Sequence, residues 1–315
     1  MSEFDLIQRY FTRPAPHAIL GVGDDAALLR ISEGMELAVS TDMLVSGTHF
    51  FSDADPFLLG HKTLAVNLSD LAAMGAVPRW ATLALSLPSA DEAWLRRFSE
   101  GFFALADAHG VELVGGDTTR GPLNLCVTIM GEVPSGKALR RSGAKFGDDI
   151  WVSGTLGSAA LGLAHLQGNI KLPEEDRLSC LAALHQPRPR VALGLALREL
   201  ASSAIDISDG LLADLKHILE CSNVGAEIAF AAIPAPTLRN IDETVSRRSI
   251  LSGGDDYELC FTAPAIRRAE IEAVAAKLQL PLARIGSIVE GRQCRVRAAD
   301  GSEITIKESG YDHFA

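Results

Sequence analysis

The chain is poor in the residues that mark the commonest specialised classes. Its five cysteines, Cys126, Cys180, Cys221, Cys260 and Cys294, are odd in number and contain no CxxC pair. A disulfide framework or a zinc ribbon needs closely spaced, even sets, so neither is indicated. Apolar surroundings such as NLCVTIM and ELCFTA make most of these thiols small buried hydrophobes, a usage that fits a reducing cytoplasm. Basic residues are outnumbered, 29 against 40 acidic ones, and the net charge is −11. That balance argues against a general nucleic-acid binder, which needs a basic surface to displace counterions. It leaves nucleotides open, because a bound cation inverts the local field. Aromatics are only 6% of the chain, so the core is built from Ala, Leu, Ile and Val. No apolar run reaches about 18 residues, so no transmembrane helix is expected. The acidic start MSEFDLIQRYF does not read as a signal peptide. The familiar nucleotide motifs are missing too. GVGDD does not continue as GxGxxG, no GxxxxGK[ST] occurs, and neither HRD nor DFG is present.

With 315 residues, of which 47% are hydrophobic and 22% charged, the chain is globular and too long for one ordinary core, so two domains are expected. Strand patterns at 35–41, 79–87, 111–116 and 123–133 alternate with helical ones at 56–75 and 91–109. In the second helix Trp94, Phe98, Phe102 and Leu105 form one stripe. This β-α-β-α-β-β order predicts an α/β domain over 1–137. SGKALRRSGAKFGD (135–148) reads as a linker, and a second α/β domain spans 138–315. Within it, strands are expected at 149–154, 202–208, 225–230 and 282–289, and helices at 156–167, 190–202, 209–221 and 264–279.

What the chain does have is seven aspartates in short turn-like motifs. They are Asp25 in GVGDDAALL, Asp42 in STDMLVSGTHF, Asp70 in LAVNLSDLAAMGA, Asp117 in GGDTTRGP, Asp206 and Asp209 in AIDISDGLLADL, and Asp255 in SGGDDYEL. Carboxylates sharing one crevice repel each other unless cations neutralise them, and oxygen-only ligands suit Mg²⁺ arriving with a phosphorylated substrate. Each motif also has a plainer reading. Thr63, Asn67 and Asp70 share one helix face, either as a solvated stripe or with Asp70 at a metal and Asn67 in support. Asp206 at a strand end, Ser208 as an N-cap and Asp209 in the first turn form either an ordinary cap or a phosphate and metal site. GGD at 115–117 marks either a turn or a close backbone approach to a ligand, with Asp117 at the strand end. His49 is either structural or a phosphate contact. Arg120, Arg140, Arg141 and Lys145 form either a solvated patch or a reach toward nucleotide phosphate.

Taken together, the motifs resemble the thiamine-monophosphate kinase family, in the superfamily that also holds aminoimidazole ribonucleotide synthetase. GVGDDAAL, STDMLVSGTHF, KTLAVNLSDLAAMGA, GGDTTRGP, RSGAKFGD, IDISDGL, SGG-DYEL and GYDHF come in the family's order along nearly the whole chain. The resemblance implies a two-domain aminoimidazole ribonucleotide synthetase-like fold and a cytoplasmic homodimer whose N-terminal sheets pair into a shared barrel. It implies transfer of the ATP γ-phosphate to thiamine monophosphate, with several Mg²⁺ ions and no nucleic-acid or membrane partner. The implied metal ligands are Asp25, Ser40, Thr41, Asp42, Asp70, Asp117, Asp206 and Asp209, with Asp42, Asp117 and Asp209 closest to the chemistry. The implied ATP contacts are Gly116, Asp117, Arg141 and Ser208. The implied substrate contacts are His49, Asp255 and Tyr311. One departure stands out: the family has SGGED where this chain has SGGDD, so Asp255 is one methylene shorter than the usual glutamate. Relatives with a reactive cysteine near either end fit poorly, since the first cysteine is Cys126 and the sequence closes on YDHFA.

Overall fold

Alternation in MELAVSTDMLV produces a strand with one open and one covered face: Leu37, Val39, Thr41 and Met43 are exposed, while Ser40, Asp42 and Leu44 turn inward. In the computed structural model, which describes residues 2–237, 241–305 and 310–311, this strand is β1 (Met35–Val45). The chain divides into two units, Met1–Leu71 with Ala76–Gly136, and Lys137–Ala315 with the short piece Ala72–Gly75.

The first unit runs α1 (Glu3–Leu6), β1, α2 (Pro56–Ala73), β2 (Val77–Leu87), α3 (Glu92–His109), β3 (Glu112–Arg120) and β4 (Asn124–Pro134). Its sheet has the order β1-β4-β2-β3, antiparallel except for the parallel β2–β3 pair. Two strands outrun their sequence patterns. Asp42 lies inside β1, because every residue of the strand pairs with β4, from Met35 opposite Pro134 to Val45 opposite Asn124. Asp117 likewise lies inside β3, which follows β2 as far as Arg120. A ladder of backbone hydrogen bonds outweighs the weak strand preference of Asp and Gly.

Helix α3 starts as its sequence says. Asp91 caps it by accepting the N–H groups of Ala93 and Trp94, and Gly110 closes it at φ 65°. Its apolar stripe places Phe98 and Phe102 in the core with Leu64, Leu68 and Leu71 of α2 and Leu125 and Ile129 of β4. The two helices are near enough that a Cβ on Gly60 would overlap the Phe98 carbonyl, and one on Gly101 the Phe57 carbonyl.

The second unit runs β5 (Asp148–Ser153), α4 (Ser158–Leu166), α5 (Glu174–His185), α6 (Val191–Leu197), β6 (Ser203–Ile207), α7 (Leu211–Ser222), β7 (Gly225–Ala229), α8 (Glu243–Ser252), β8 (Glu258–Pro264), α9 (Arg268–Leu278), β9 (Leu282–Val289), β10 (Cys294–Arg297) and β11 (Glu303–Ile304). Its mixed sheet has the order β11-β10-β7-β9-β5-β8-β6. The core gathers Ile150, Val152, Ile205, Ile207, Leu215 and Ile218. Strand β8 was not expected. It sits between β5 and β6, buried on both faces, so ELCFTA shows no alternation to mark it. Helices α5 and α8 were also unexpected, and α6 ends at Leu197, well short of 202. Cys180 and Cys260 are buried as expected, whereas Cys221 is exposed near the end of α7. Among the described residues, no helix is long and apolar enough to cross a membrane.

Because α2 and α3 touch backbone to backbone, Gly101→Ala has no room. We expect a loss of about 1–3 kcal/mol from overpacking, read by denaturant unfolding against wild type.

Candidate functional site

In the first unit the polar stripe of α2 is not solvated: it is buried at Thr63 and Asn67 and half-buried at Asp70. Thr63 and Asn67 are each 1% exposed. The Thr63 hydroxyl donates to the Leu59 carbonyl at 2.7 Å, and the Asn67 amide donates to the Thr63 carbonyl at 3.1 Å. Asn67 Oδ1 then accepts the backbone N–H of Asp42 at 3.1 Å, and Asp70 accepts from the Ser40 hydroxyl. The stripe therefore fastens α2 to the inward face of β1, where the buried groups find the partners that their burial demands. The Asp42 charge lies near β4, where it adds to burial in raising the Cys126 thiol pKa.

Not all expected residues join this cluster. Thr41 turns to the other face, where its hydroxyl pairs with that of Thr128 at 2.9 Å. Asp117 is exposed on β3, opposite Ala84 of β2. The register aligns Asp42 with Val127, Leu83 and Gly116, so Asp117, one residue further on, projects from the opposite face of the sheet, the face of Thr41. The sheet register slips between Ala81 and Thr82, bulging β3 just before Gly115, and Gly116 follows at φ 148° with its α-carbon against the Leu83 carbonyl. The glycine is thus required by strand packing, whatever it binds. Asp25 is exposed in a turn where its N–H donates to Asp24. His49 closes the turn after β1, with Nδ1 accepting the Val45 N–H at 2.9 Å, so its ring proton belongs on Nε2.

The second unit carries a separate cluster around the β6–α7 turn. Asp206 is buried within β6, opposite Leu259 of β8. Ser208 is not the helix cap. The helix starts at Leu211 behind Gly210, which sits at φ 117°, and the carboxylate of Asp214 accepts the N–H groups of Ser208, Asp209 and Gly210 at 3.0, 3.0 and 3.1 Å. Those three amides are engaged inward, so they do not form an open phosphate cradle. Asp255 is stitched to the same turn, its N–H donating to the Ser208 carbonyl at 2.9 Å, while the Tyr257 N–H donates to the Ile207 carbonyl at 2.8 Å. Both Asp255 (φ 69°) and Tyr257 (φ 50°) are left-handed, at a cost of about 1–3 kcal/mol each that surrounding structure must offset. The Tyr311 N–H donates to the Asp209 carbonyl at 3.1 Å, so three motifs far apart in sequence meet here. Residues 312–315 of GYDHFA lie outside the described residues. Arg141 is exposed on a loop pinned by Ser222, whose hydroxyl accepts from Gly143 and Ala144 and donates to the Arg141 carbonyl.

Two domain families match in tandem: AIR synthase related protein, N-terminal domain, over residues 23–133, and its C-terminal domain over residues 145–299. Thiamine-monophosphate kinase of Salmonella typhimurium (strain LT2) is 48% identical over 99% of this chain and 98% of its own length. The crystal structure of thiamine-monophosphate kinase from Stenotrophomonas maltophilia K279a superposes with a TM-score of 0.88 at 50% identity, covering 96% of this chain and 98% of that one. The chain belongs to the thiamine-monophosphate kinase family. Membership makes it an enzyme of the kinase class with a two-domain AIR synthase-like fold. Another member, AaThiL complexed with AMPPCP and TMP, has 30% identity and a TM-score of 0.77, covering 89% of each chain.

Asp214 and Asp256 are carboxylates to which the sequence reading gave no role. Asp214 follows the IDISDGL run and betrays itself only as an acid in the first turn of α7. It is 3% exposed, and burial, together with the charges of Asp206 and Asp209, raises its pKa to about 7 against the pull of its N–H donors. Between pH 4 and 7 the folded state therefore holds a proton that the unfolded state has lost, and stability falls as pH rises through that window. From pH 5.5 to 8 wild type should lose about 2 kcal/mol from this group, and Asp214→Asn should flatten the slope, as read by urea unfolding at the two pH values.

Proposed function

We propose that the chain transfers the γ-phosphoryl group of ATP to thiamine monophosphate, giving thiamine diphosphate and ADP. The observation that carries this reading is the likeness to thiamine-monophosphate kinases over 99% of the chain at 48% identity, with every motif aspartate present. The acceptor is a phosphate monoester with a second pKa of about 6, so it is already mostly a dianion at neutral pH. No general base is needed to create the nucleophile. The difficulty is bringing two polyanions together, so positioning and charge neutralisation dominate, with direct in-line transfer.

The donor chemistry fits Mg²⁺: the proposed ligands Asp25, Ser40, Thr41, Asp42, Asp70, Asp117, Asp206 and Asp209 offer oxygen only. Among the described residues, no three His, Cys, Asp or Glu side chains converge into a metal cage. Mg²⁺ needs none, since it is usually held by one or two carboxylates plus phosphates and water. Held by those residues, Mg²⁺ would supply the positive charge that offsets the repulsion between the two phosphates. Asn67 and Ser40 hold Asp42 and Asp70 in place before substrate arrives. Gly116, Asp117, Arg141 and Ser208 are the proposed nucleotide contacts. His49, Tyr311 and Asp255 are the proposed contacts to thiamine monophosphate, with the Asp255 carboxylate meeting the thiazolium charge.

The chain is proposed to act as a cytoplasmic homodimer, and the open face of the first sheet supports the pairing of two such sheets into a barrel. Leu37, Val39 and Met43 are 41%, 56% and 56% exposed along β1, an apolar row that isolated sheets rarely present to water. Val39→Asp should convert dimer to monomer in sedimentation equilibrium, and a wild-type monomer would exclude the pairing.

The reaction is tested by following ADP release from ATP and Mg²⁺ with thiamine monophosphate, thiamine or no acceptor, and checking product mass. Thiamine diphosphate should form from the monophosphate alone. Asp42→Asn and Asp117→Asn should each lower kcat about 100-fold or more, while His49→Asn should cost about tenfold or less. Near-normal turnover of either aspartate variant at moderate Mg²⁺ would remove that residue from the site.

A further inference from the structure

SGGDDYEL contains two adjacent aspartates, and the family pattern assigns a role only to the first. The structure gives the second a different task. Asp256 turns away from the β6–α7 turn, and its Oδ2 accepts the N–H of Gly157 at 2.8 Å, at the amino end of α4. The Ala159 N–H lies near enough to favour the charged form of this carboxyl. The residue is half-buried, and desolvation, with the charges of Glu258 and Asp255, drives its pKa well above the ordinary carboxylate range.

The segment 253–257 is thereby held from two sides. On one side the Asp255 and Tyr257 N–H groups donate to Ser208 and Ile207. On the other, the side chain of Asp256 ties the segment to α4. Glycines allow both approaches: a Cβ on Gly254 would overlap the Ser208 carbonyl, one on Gly253 the Ala160 side chain of α4, and Gly157 itself sits at φ 87°. The left-handed residues at 255 and 257 flank the tie, and the Tyr257 hydroxyl donates to Asp255 Oδ1 at 3.2 Å, a long bond that relies on its ends being fixed. A strained backbone of this kind persists only where its surroundings over-determine it.

We propose that Asp256 is a positioning residue: by pegging segment 253–257 to the amino end of α4, it sets the direction of the Asp255 carboxylate toward thiamine monophosphate. The role rests on the proposed reading of Asp255 as a substrate contact. It matters more here than behind a glutamate, because the shorter side chain has less reach with which to correct a misdirected backbone.

The test uses the full-length chain and compares Asp256→Ala, Asp256→Asn and wild type. The readouts are KM for thiamine monophosphate, KM for ATP, kcat, Tm and the calorimetric Kd for thiamine monophosphate. Asp256→Ala should raise KM and Kd for thiamine monophosphate about tenfold while KM for ATP stays within about twofold. Asp256→Asn, which keeps an acceptor for Gly157, should recover most of that loss. In an Asp255→Ala background the Asp256→Ala shift should vanish, since the group being aimed is gone. If Asp256→Ala does not fold, Asp256→Ser, too short to reach Gly157, takes its place in the same comparison. Equal rises in both KM values, an unchanged Kd for thiamine monophosphate, or full additivity with Asp255→Ala would each overturn the peg. Wild type that binds thiamine monophosphate without turnover would overturn the kinase reading and leave the peg to be judged on Kd. Wild type that does not bind it at all would overturn both.

Discussion

The site depends on how the chain compensates carboxylates that it keeps away from bulk water. An ionised carboxylate in an apolar interior is costly unless hydrogen bonds or opposite charge meet it. Here the compensation is mostly backbone N–H and hydroxyl, not arginine. Asp214 takes three amides of the β6–α7 turn, Asp256 takes the Gly157 amide at the amino end of α4, and Asp70 takes the Ser40 hydroxyl. Where arginine does compensate, as in Arg268 and Arg284 on buried Asp149 or Arg190 on Glu258, the pair ties the second unit's scaffold.

This division has a structural consequence. Backbone amides can serve a carboxylate only if the chain bends tightly round it, so Asp214 and Asp256 bring unusual backbone with them. Gly210 at φ 117° precedes α7, Gly157 at φ 87° precedes α4, and Asp255 and Tyr257 bracket Asp256 in left-handed conformations. Strain, burial and proposed function therefore coincide in one short segment of the second unit. The first unit solves the same problem without strain. Asn67 serves as a rigid spacer, bonded back to the Thr63 carbonyl and forward to the Asp42 N–H, so that a helix face and a strand face are locked together. The direct crossing of α2 and α3 at Gly60 and Gly101 fixes the helix that carries Asn67 and Asp70.

Much of the first unit was legible. Helix α3 announced itself by its stripe and by Asp91 and Gly110 at its ends, both local signals that act through the nearest backbone groups. The α2 stripe was legible as a choice between solvent and a site, because a polar row on an apolar helix must be satisfied somewhere. Strand ends were less so: Asp42 and Asp117 looked terminal by composition but lie inside β1 and β3, since pairing partners decide where a ladder stops. Strand β8 was hidden for the opposite reason, being covered on both faces and so lacking any alternation.

By itself, then, the sequence determined the family, the α/β order of elements and the residue types that a magnesium-dependent phosphoryl transfer would use. These are carried by local patterns and by the order of motifs, and they need no knowledge of what packs on what. Only the tertiary structure decided which groups satisfy which. It assigned the amides of Ser208, Asp209 and Gly210 to Asp214 and not to an open anion site, turned Thr41 away from Ser40 and Asp42, and brought Tyr311 to Asp209. The physical reason is that a hydrogen bond is settled by distances of about 3 Å between groups that can lie a hundred residues apart, and a linear sequence does not contain those distances.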